Sequence, residues 1–248
     1  TLSGSVIAAQ PGFTEPRRTI ELAAPELAVV STVHVAVGDT VKRDQLLYEL
    51  DTRALRASLS IAAVRRDARN EVKAANARHR LKLNRLEQLS KAHGQGFAQA
   101  DELAHASAEL DVASAELASA KERQRVAALE YDRINVQIER RRIKSPIDAT
   151  VFDLRREVGE IVTPADHVLL VLADLQTLIV RLNLDYKGSD ALAIGSEVGG
   201  RCAEHSVSAT VARTAPVIDA ATGTREVELE LVNSDGRLLA GMACEFDL

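Results

Sequence analysis

Tryptophan is absent from the 248 residues, and the other rings amount to four phenylalanines and three tyrosines. So few aromatics leave no stacking platform for bases and no floor for a carbohydrate cleft. Long apolar runs are missing too. No stretch of about 18 apolar residues occurs, so nothing in the sequence reads as a membrane-spanning helix. No signal-peptide pattern opens the chain, which starts in mid-pattern with TLSGSVIAA, as trimmed ends do. A formal net charge of −5 disfavours a nucleic-acid partner. There are two cysteines, Cys202 and Cys244, in the strand-like segments RCAEHSV and GMACEFDL. In an oxidising compartment they can pair; the other reading is two small buried residues, and spacing leaves both open.

Patterns that carry chemistry are equally scarce. The histidines are His34, His79, His93, His105, His167 and His205, and none has ligand spacing to another histidine or to a cysteine. Surface positions explain them, and the lone Met242 in LLAGMACEF suits sheet packing better than a soft metal. No serine has a plausible histidine and acid partner, and no nucleophile elbow is present. GQG and GG read as turns outside any phosphate-loop context. The expectation is a chain with no catalytic residues, no metal and no cofactor.

What is there is a β–α–β order. Residues 20–50 carry short β runs broken by turns: Pro25 rules out a regular helix, VVSTVHVAV is rich in β-branched residues, and Gly38-Asp39 marks a tight turn. Residues 53–92 contain neither Gly nor Pro, which predicts one helix capped by Asp51 or Thr52. Its inward series is Ala54, Ile61, Ala68, Ala75, Lys82 and Leu89, with Val72, His79 and Leu86 beside it. HGQG interrupts at 93–96, and a second helix is predicted from about 99 to 142. Its repeat is cleaner, with Leu103, Leu110, Leu117, Gln124, Tyr131 and Ile138 at one seam position. Ala106, Ala113, Ala120, Ala127 and Ile134 fill the other. Two such helices on a short link predict an antiparallel coiled-coil hairpin with arms ~60 Å long, projecting into solvent or toward a partner. Charge agrees: eleven basic residues face three acidic ones in 53–91, while the second arm carries many of the acids. Pro146 ends the helical text. Seven strand-like segments follow, with turns at Gly188, Gly199-Gly200, 221–223 and Asp235-Gly236. From about Leu175 onward they predict a small antiparallel barrel or sandwich, closed by a strand within SGSVIAAQP.

One unit is written twice. Shifted by 121 positions, Pro25 falls on Pro146, Ala28 on Ala149, Val30 on Val151 and Val33 on Leu154. Gly38 then falls on Gly159, Asp39 on Glu160 and Val41 on Val162. Each copy is too small to bury its apolar face alone, whereas two packed face to face bury both. The helical segment becomes an insertion between halves of one pseudo-symmetric β domain.

This order resembles the periplasmic adaptor, or membrane fusion protein, family of tripartite efflux systems. KSPIDATVFDLRREVGEIVTP resembles the second half-motif of its lipoyl-like domain, ADLQTLIVRLNL its entry to the barrel, and VARTAPVIDAATGTREVELELVNSDGRLLAGMACEF its barrel segment. The resemblance implies an elongated multidomain adaptor of mixed β and α structure. Its parts would be an N-terminal barrel strand and linker (1–19), the first half of a split lipoyl-like β domain (20–51), a long antiparallel α-helical coiled-coil hairpin (52–144), the second lipoyl-like half (145–173) and an antiparallel β-barrel (174–248). Gly38, Asp39, Gly159 and Glu160 would be its lipoyl-like turns, and Cys202 with Cys244 a candidate disulfide. Where the family has Gly this chain has Ala28, Ala149 and Asp44, so those turns would be adjusted. At the hairpin tip the partner-binding residues would be Arg85, Leu89, Gly96 and Asp101, with Gly96 standing where the family has Ser. The implied function is non-catalytic coupling of an inner-membrane transporter, resistance-nodulation-division type foremost, to an outer-membrane channel for efflux of small molecules. Self-association as a ring, a periplasmic location and an inner-membrane anchor outside this chain come with it. The alternatives are a coiled-coil scaffold of an envelope complex and an adaptor for an ABC-type exporter. An acyl-carrying domain fits poorly, because YELDTR offers no modifiable lysine.

Overall fold

The structure, a computed structural model, describes residues 9–248. In chain order the elements are β1 (Ala9–Ala23), β2 (Ala28–Val33), β3 (Thr40–Val41), β4 (Leu46–Leu50), α1 (Arg53–Asp67), α2 (Asn70–Gly94), α3 (Ala100–Arg140), β5 (Arg142–Lys144), β6 (Ala149–Leu154), β7 (Ile161–Val162), β8 (Val168–Asp185), α4 (Tyr186–Ala191), β9 (Glu197–Cys202), β10 (His205–Ile218), β11 (Thr224–Val232) and β12 (Ala243–Asp247). They form two compact units: Asp51–Arg141 is helical, and the described residues up to Leu50 join Arg142–Leu248 in a β unit.

In the helical unit α1 and α2 both pack on α3, and the cross-arm ion pairs fix the sense as antiparallel. Glu71 meets Arg123, Arg78 meets Glu116 at 3.5 Å, and Lys82 meets Glu109 at 2.9 Å. The buried positions of α3 keep the seven-residue spacing through Ala106, Ala113 and Ala120, then Ile134 and Ile138. Ala75 is buried on α2, with Val72, His79, Lys82, Leu86 and Leu89 half-buried around it.

The first arm departs from expectation, because it is two helices. Ala68 takes an extended ψ of 95° between α1 and α2, and the repeat shifts by one residue there. Ala54 and Ile61 are therefore exposed, while Leu55, Leu59 and Ala62 pack on Tyr131, Ile134 and Ile138. The Arg66 guanidinium covers the Tyr131 ring at 4.0 Å. Thr52 precedes α1 without a side-chain cap, but Asp51 accepts from the Arg53 N–H at 2.9 Å. α3 starts behind a capping box of Gln99 and Glu102. It ends at Arg140, earlier than the sequence suggested, because Arg142–Lys144 is already β5 beside β4 and Ile143 packs on the apolar core there.

The β unit has two cores joined by two long strands. Leu169, Leu170 and Leu172 of β8 belong to one, with Val30, Val41, Leu47, Tyr48, Val151 and Val162. Leu178, Val180, Leu182 and Leu184 of the same strand belong to the other, with Val211, Val227, Leu229 and Phe246. Around this second core the hydrogen-bonded order is β1-β12-β9-β10-β11-β8, and β8 pairs again with β1. Ala9–Phe13 of β1 pair with β12, and the rest of β1 pairs with β8. The strand expected within SGSVIAAQP lies partly outside the described residues. Two expected turns are not turns. Gly199 and Gly200 lie inside β9, where a Cβ on Gly200 would sit 2.5 Å from the Phe246 ring. Gly188 lies in the short α4, its N–H donating to the capping Asp185 side chain at 2.6 Å.

Candidate functional site

The two copies of the doubled unit hold each other by the same hydrogen bonds, exchanged. Gly38 donates its N–H to the Val151 carbonyl at 2.9 Å, and Val151 donates to the Asp39 carbonyl at 2.9 Å. The mirror pair is Gly159 to the Val30 carbonyl and Val30 to the Glu160 carbonyl, both at 2.9 Å. Each acid closes its own turn: Asp39 accepts from the Ala36 N–H at 2.8 Å, and Glu160 accepts from the Glu157 N–H at 2.9 Å. Gly38 and Gly159 need their glycines, with φ of 93° and 92°. Strand pairing is exchanged too, since Val41 stands opposite Ala149 and Ala28 opposite Val162. Ala28 and Ala149 sit in strands without a left-handed backbone, so their loss of glycine costs no strain. Asp44 does adopt a positive φ of 65°, a conformation acidic and amide side chains tolerate better than most.

Tyr48 fastens the halves from inside. Its hydroxyl donates to the Arg156 carbonyl at 2.7 Å and lies 3.3 Å from that of Leu169. Burial, with Glu160, Asp153 and Glu157 adding their charge, pushes its pKa up to about 12. Among the described residues no group of three or more histidines, cysteines or acids is placed to hold a metal ion. The arrangement can join and orient the two halves.

The predicted tip residues all lie at one end of the helical unit. Arg85 is exposed on α2 and Leu89 half-buried there. Gly96 is exposed in the link with φ of 79°, and Asp101 sits exposed in the first turn of α3, where a helix favours an acid. Leu89, Gly96 and Asp101 therefore each have a local structural task. Sequence reasoning missed Phe97, whose ring is 83% exposed beside Gly96. It also missed an outer stripe on α3, made by Val112, Val126, Leu129 and Val136, all more than half exposed. Their own three-, seven- and fourteen-residue separations were the available signal. Val112 and the exposed Leu81 line a shallow groove of about 420 Å³ along the α2–α3 face. Lys82 and Glu109 line it too, and hydrogen bonding by Lys82 holds the Glu109 carboxyl below its usual range.

Comparison with known proteins places these features in context. Residues 28–174 match the family model described as RND MFP, barrel-sandwich hybrid domain. An uncharacterized protein of Haemophilus influenzae is 27% identical over 236 residues, 93% of this chain and 54% of its own length. The chain thus spans about half the length of that curated relative. Among solved structures, MacA from Actinobacillus actinomycetemcomitans superposes with a TM-score of 0.82 at 21% identity, covering 96% of this chain and 76% of its own. The membrane fusion protein Spr0693 from Streptococcus pneumoniae R6 does so with 0.67 at 14% identity, covering 96% and 97%. At these identities the structural likeness speaks for the fold.

Proposed function

The chain belongs to the RND membrane fusion protein family, and from that premise we propose that it is a non-catalytic periplasmic adaptor coupling an inner-membrane transporter to an outer-membrane channel for efflux of small molecules. The reciprocal clamp carries this reading. Gly38 and Asp39 grip Val151 while Gly159 and Glu160 grip Val30, so two distant segments make one domain and the helices between them become an insertion. An insertion of that kind is suited to reaching a partner. In this reading α1, α2 and α3 form the coiled-coil hairpin, and the returning strand order around Phe246 is the β-barrel domain. The four lipoyl-like turn residues are scaffold. Arg85, Leu89, Gly96 and Asp101 face the channel, and Phe97 stands with them.

Self-association as a ring has its own support. The outer stripe of α3 is apolar, the first arm is basic and the second acidic, so neighbouring copies can pair α3 of one with the first arm of the next. The transporter would supply the energy, and a resistance-nodulation-division partner is the reading favoured over an ABC exporter. A paired Cys202 and Cys244 suit an oxidising compartment such as the periplasm. The test is Leu89→Asp in the full-length protein, with export, channel cross-linking and circular dichroism measured together. The expected outcome is loss of channel cross-linking and of export at unchanged helicity. Retained cross-linking, or unfolding of the helices, would remove Leu89 from the channel interface. Failure of the unmutated protein to cross-link to any transporter or channel would sink the adaptor reading itself and favour a scaffold.

A further inference from the structure

Cys202 and Cys244 stand directly opposite each other where β9 meets β12, with Cα atoms 4.0 Å apart and their sulfurs bonded. They are 0% and 1% exposed, inside the apolar cluster that holds Phe246, Val198 and Ala209. The seam they cross is short. Cys244 pairs with Cys202, Glu245 with Arg201 and Phe246 with Gly200, whereas β9 meets β10 along the whole of Glu197–Cys202. On its other side β12 is paired along all of Ala243–Asp247 with Ala9–Phe13 of β1, so the β9 side is its shorter seam. Next to the bond, Ala203 turns the chain with φ of 50° and donates its N–H to the Ala243 carbonyl at 3.3 Å. A left-handed alanine is an unfavourable way to make a turn, so local backbone preference does little to hold this corner.

We propose that the Cys202–Cys244 bond is the fastening of β12 to β9, installed by thiol–disulfide exchange with a disulfide-bearing oxidant before the strands close over it. One thiolate of the pair attacks the oxidant's disulfide, forming a mixed disulfide and releasing one oxidant thiolate. The second thiolate then attacks the mixed bond, forming Cys202–Cys244 and releasing the other. The chain gives up two electrons and two protons, and the oxidant's disulfide becomes a dithiol. Once β12 is seated, burial shuts out further exchange partners, so the bond is structural and does not cycle. None of this depends on which transporter or channel the protein meets.

The experiment compares protein recovered from an oxidising compartment with the same chain prepared with reduced thiols. The oxidised protein should take up no alkylating reagent in denaturant, and natively it should keep its bond in dithiothreitol until denaturant is added. The reduced chain should melt lower by on the order of 10 °C, with faster amide exchange concentrated in Ala243–Asp247 and Glu197–Cys202. The double variant Cys202→Ala/Cys244→Ala should match the reduced chain, and the reduced wild type keeps the test valid where that variant folds poorly. Two alkylatable thiols in the oxidised preparation would overturn the proposal. So would ready reduction of the native protein, or unchanged exchange in β12 once the bond is gone.

Discussion

The β unit and the helical unit are held together by different means. Leu47, Leu169, Leu172, Val180 and Phe246 are wholly buried in the β unit, most of them large side chains removed completely from water. The helical unit buries chiefly alanines, Ala62, Ala75, Ala106, Ala113 and Ala120, with two isoleucines near one end. Its cross-arm ion pairs are exposed, and exposed pairs contribute little. One unit is thus specified by volume and the other by close approach of small residues along a seam. A helical pair stabilised so narrowly keeps its outer faces free, which is where Val112, Val126, Leu129 and Val136 are found.

The most severe test of that contrast compares one truncation in each unit. Leu172→Ala removes a fully buried side chain from the core of the β unit that holds Tyr48 and should cost about 2–5 kcal/mol. Ala113→Gly in the seam of α3 should cost about 1 kcal/mol, mostly as lost helix propensity. Urea midpoints for the two variants measure the difference. Equal losses would mean that the alanine seam stabilises the protein as much as the β core does.

The units should also fail at opposite ends of the pH scale, and the alkaline end carries the larger effect. Tyr48 normally titrates at 10.0 and is pushed up to about 12 in the fold. A raised pKa gives stability that is complete below pH 10 and fades as pH climbs toward 12, on the order of 2 kcal/mol in all. Melting of the β unit between these values should therefore fall, and Tyr48→Phe should flatten the dependence while lowering stability at neutral pH. A wild-type profile flat across that interval would detach Tyr48 from the stability of the domain.

Much of this division was legible in the residues, for identifiable reasons. The 121-residue shift that aligns Gly38 with Gly159 also aligns the bonds they make, because identical turns demand identical donors and acceptors. The seam of α3 was readable because Ala106, Ala113 and Ala120 repeat without interruption. The phase of α1 was not: the break at Ala68 carries neither Gly nor Pro, and the only weak helix formers beside it are Asp67 and Asn70, which helices commonly tolerate. Gly199-Gly200 looked like a turn because glycine pairs usually are one. Here Gly200 is needed where the Phe246 ring meets bare backbone, a requirement visible only once β12 is beside β9. Phe97 escaped because a single aromatic has no periodicity to reveal it.

The smallest effect lies at the acid end, in the helical unit. Hydrogen bonds from Arg53 lower the Asp51 pKa to about 2, Lys82 lowers Glu109 and Arg133 lowers Glu130. A depressed carboxyl gives stability that is present above its ordinary pKa and is lost as pH falls through the depressed value. Helical melting should therefore weaken gradually from about pH 4.5 downward, in the opposite sense to the Tyr48 effect. All three carboxyls are solvent-screened, so no single one should matter much, and added salt should blunt the trend at neutral pH. Glu109→Gln makes the sharpest case, because it removes the charge that Lys82 pairs with, leaving a neutral amide oxygen, without changing the seam. Its melting temperature at pH 7 should drop by an amount close to the error of the measurement, and its acid slope should be slightly shallower than that of the wild type. A drop comparable to that of Leu172→Ala would mean that the arms are held by charge, and the seam of alanines would lose its place as the principal contact between them.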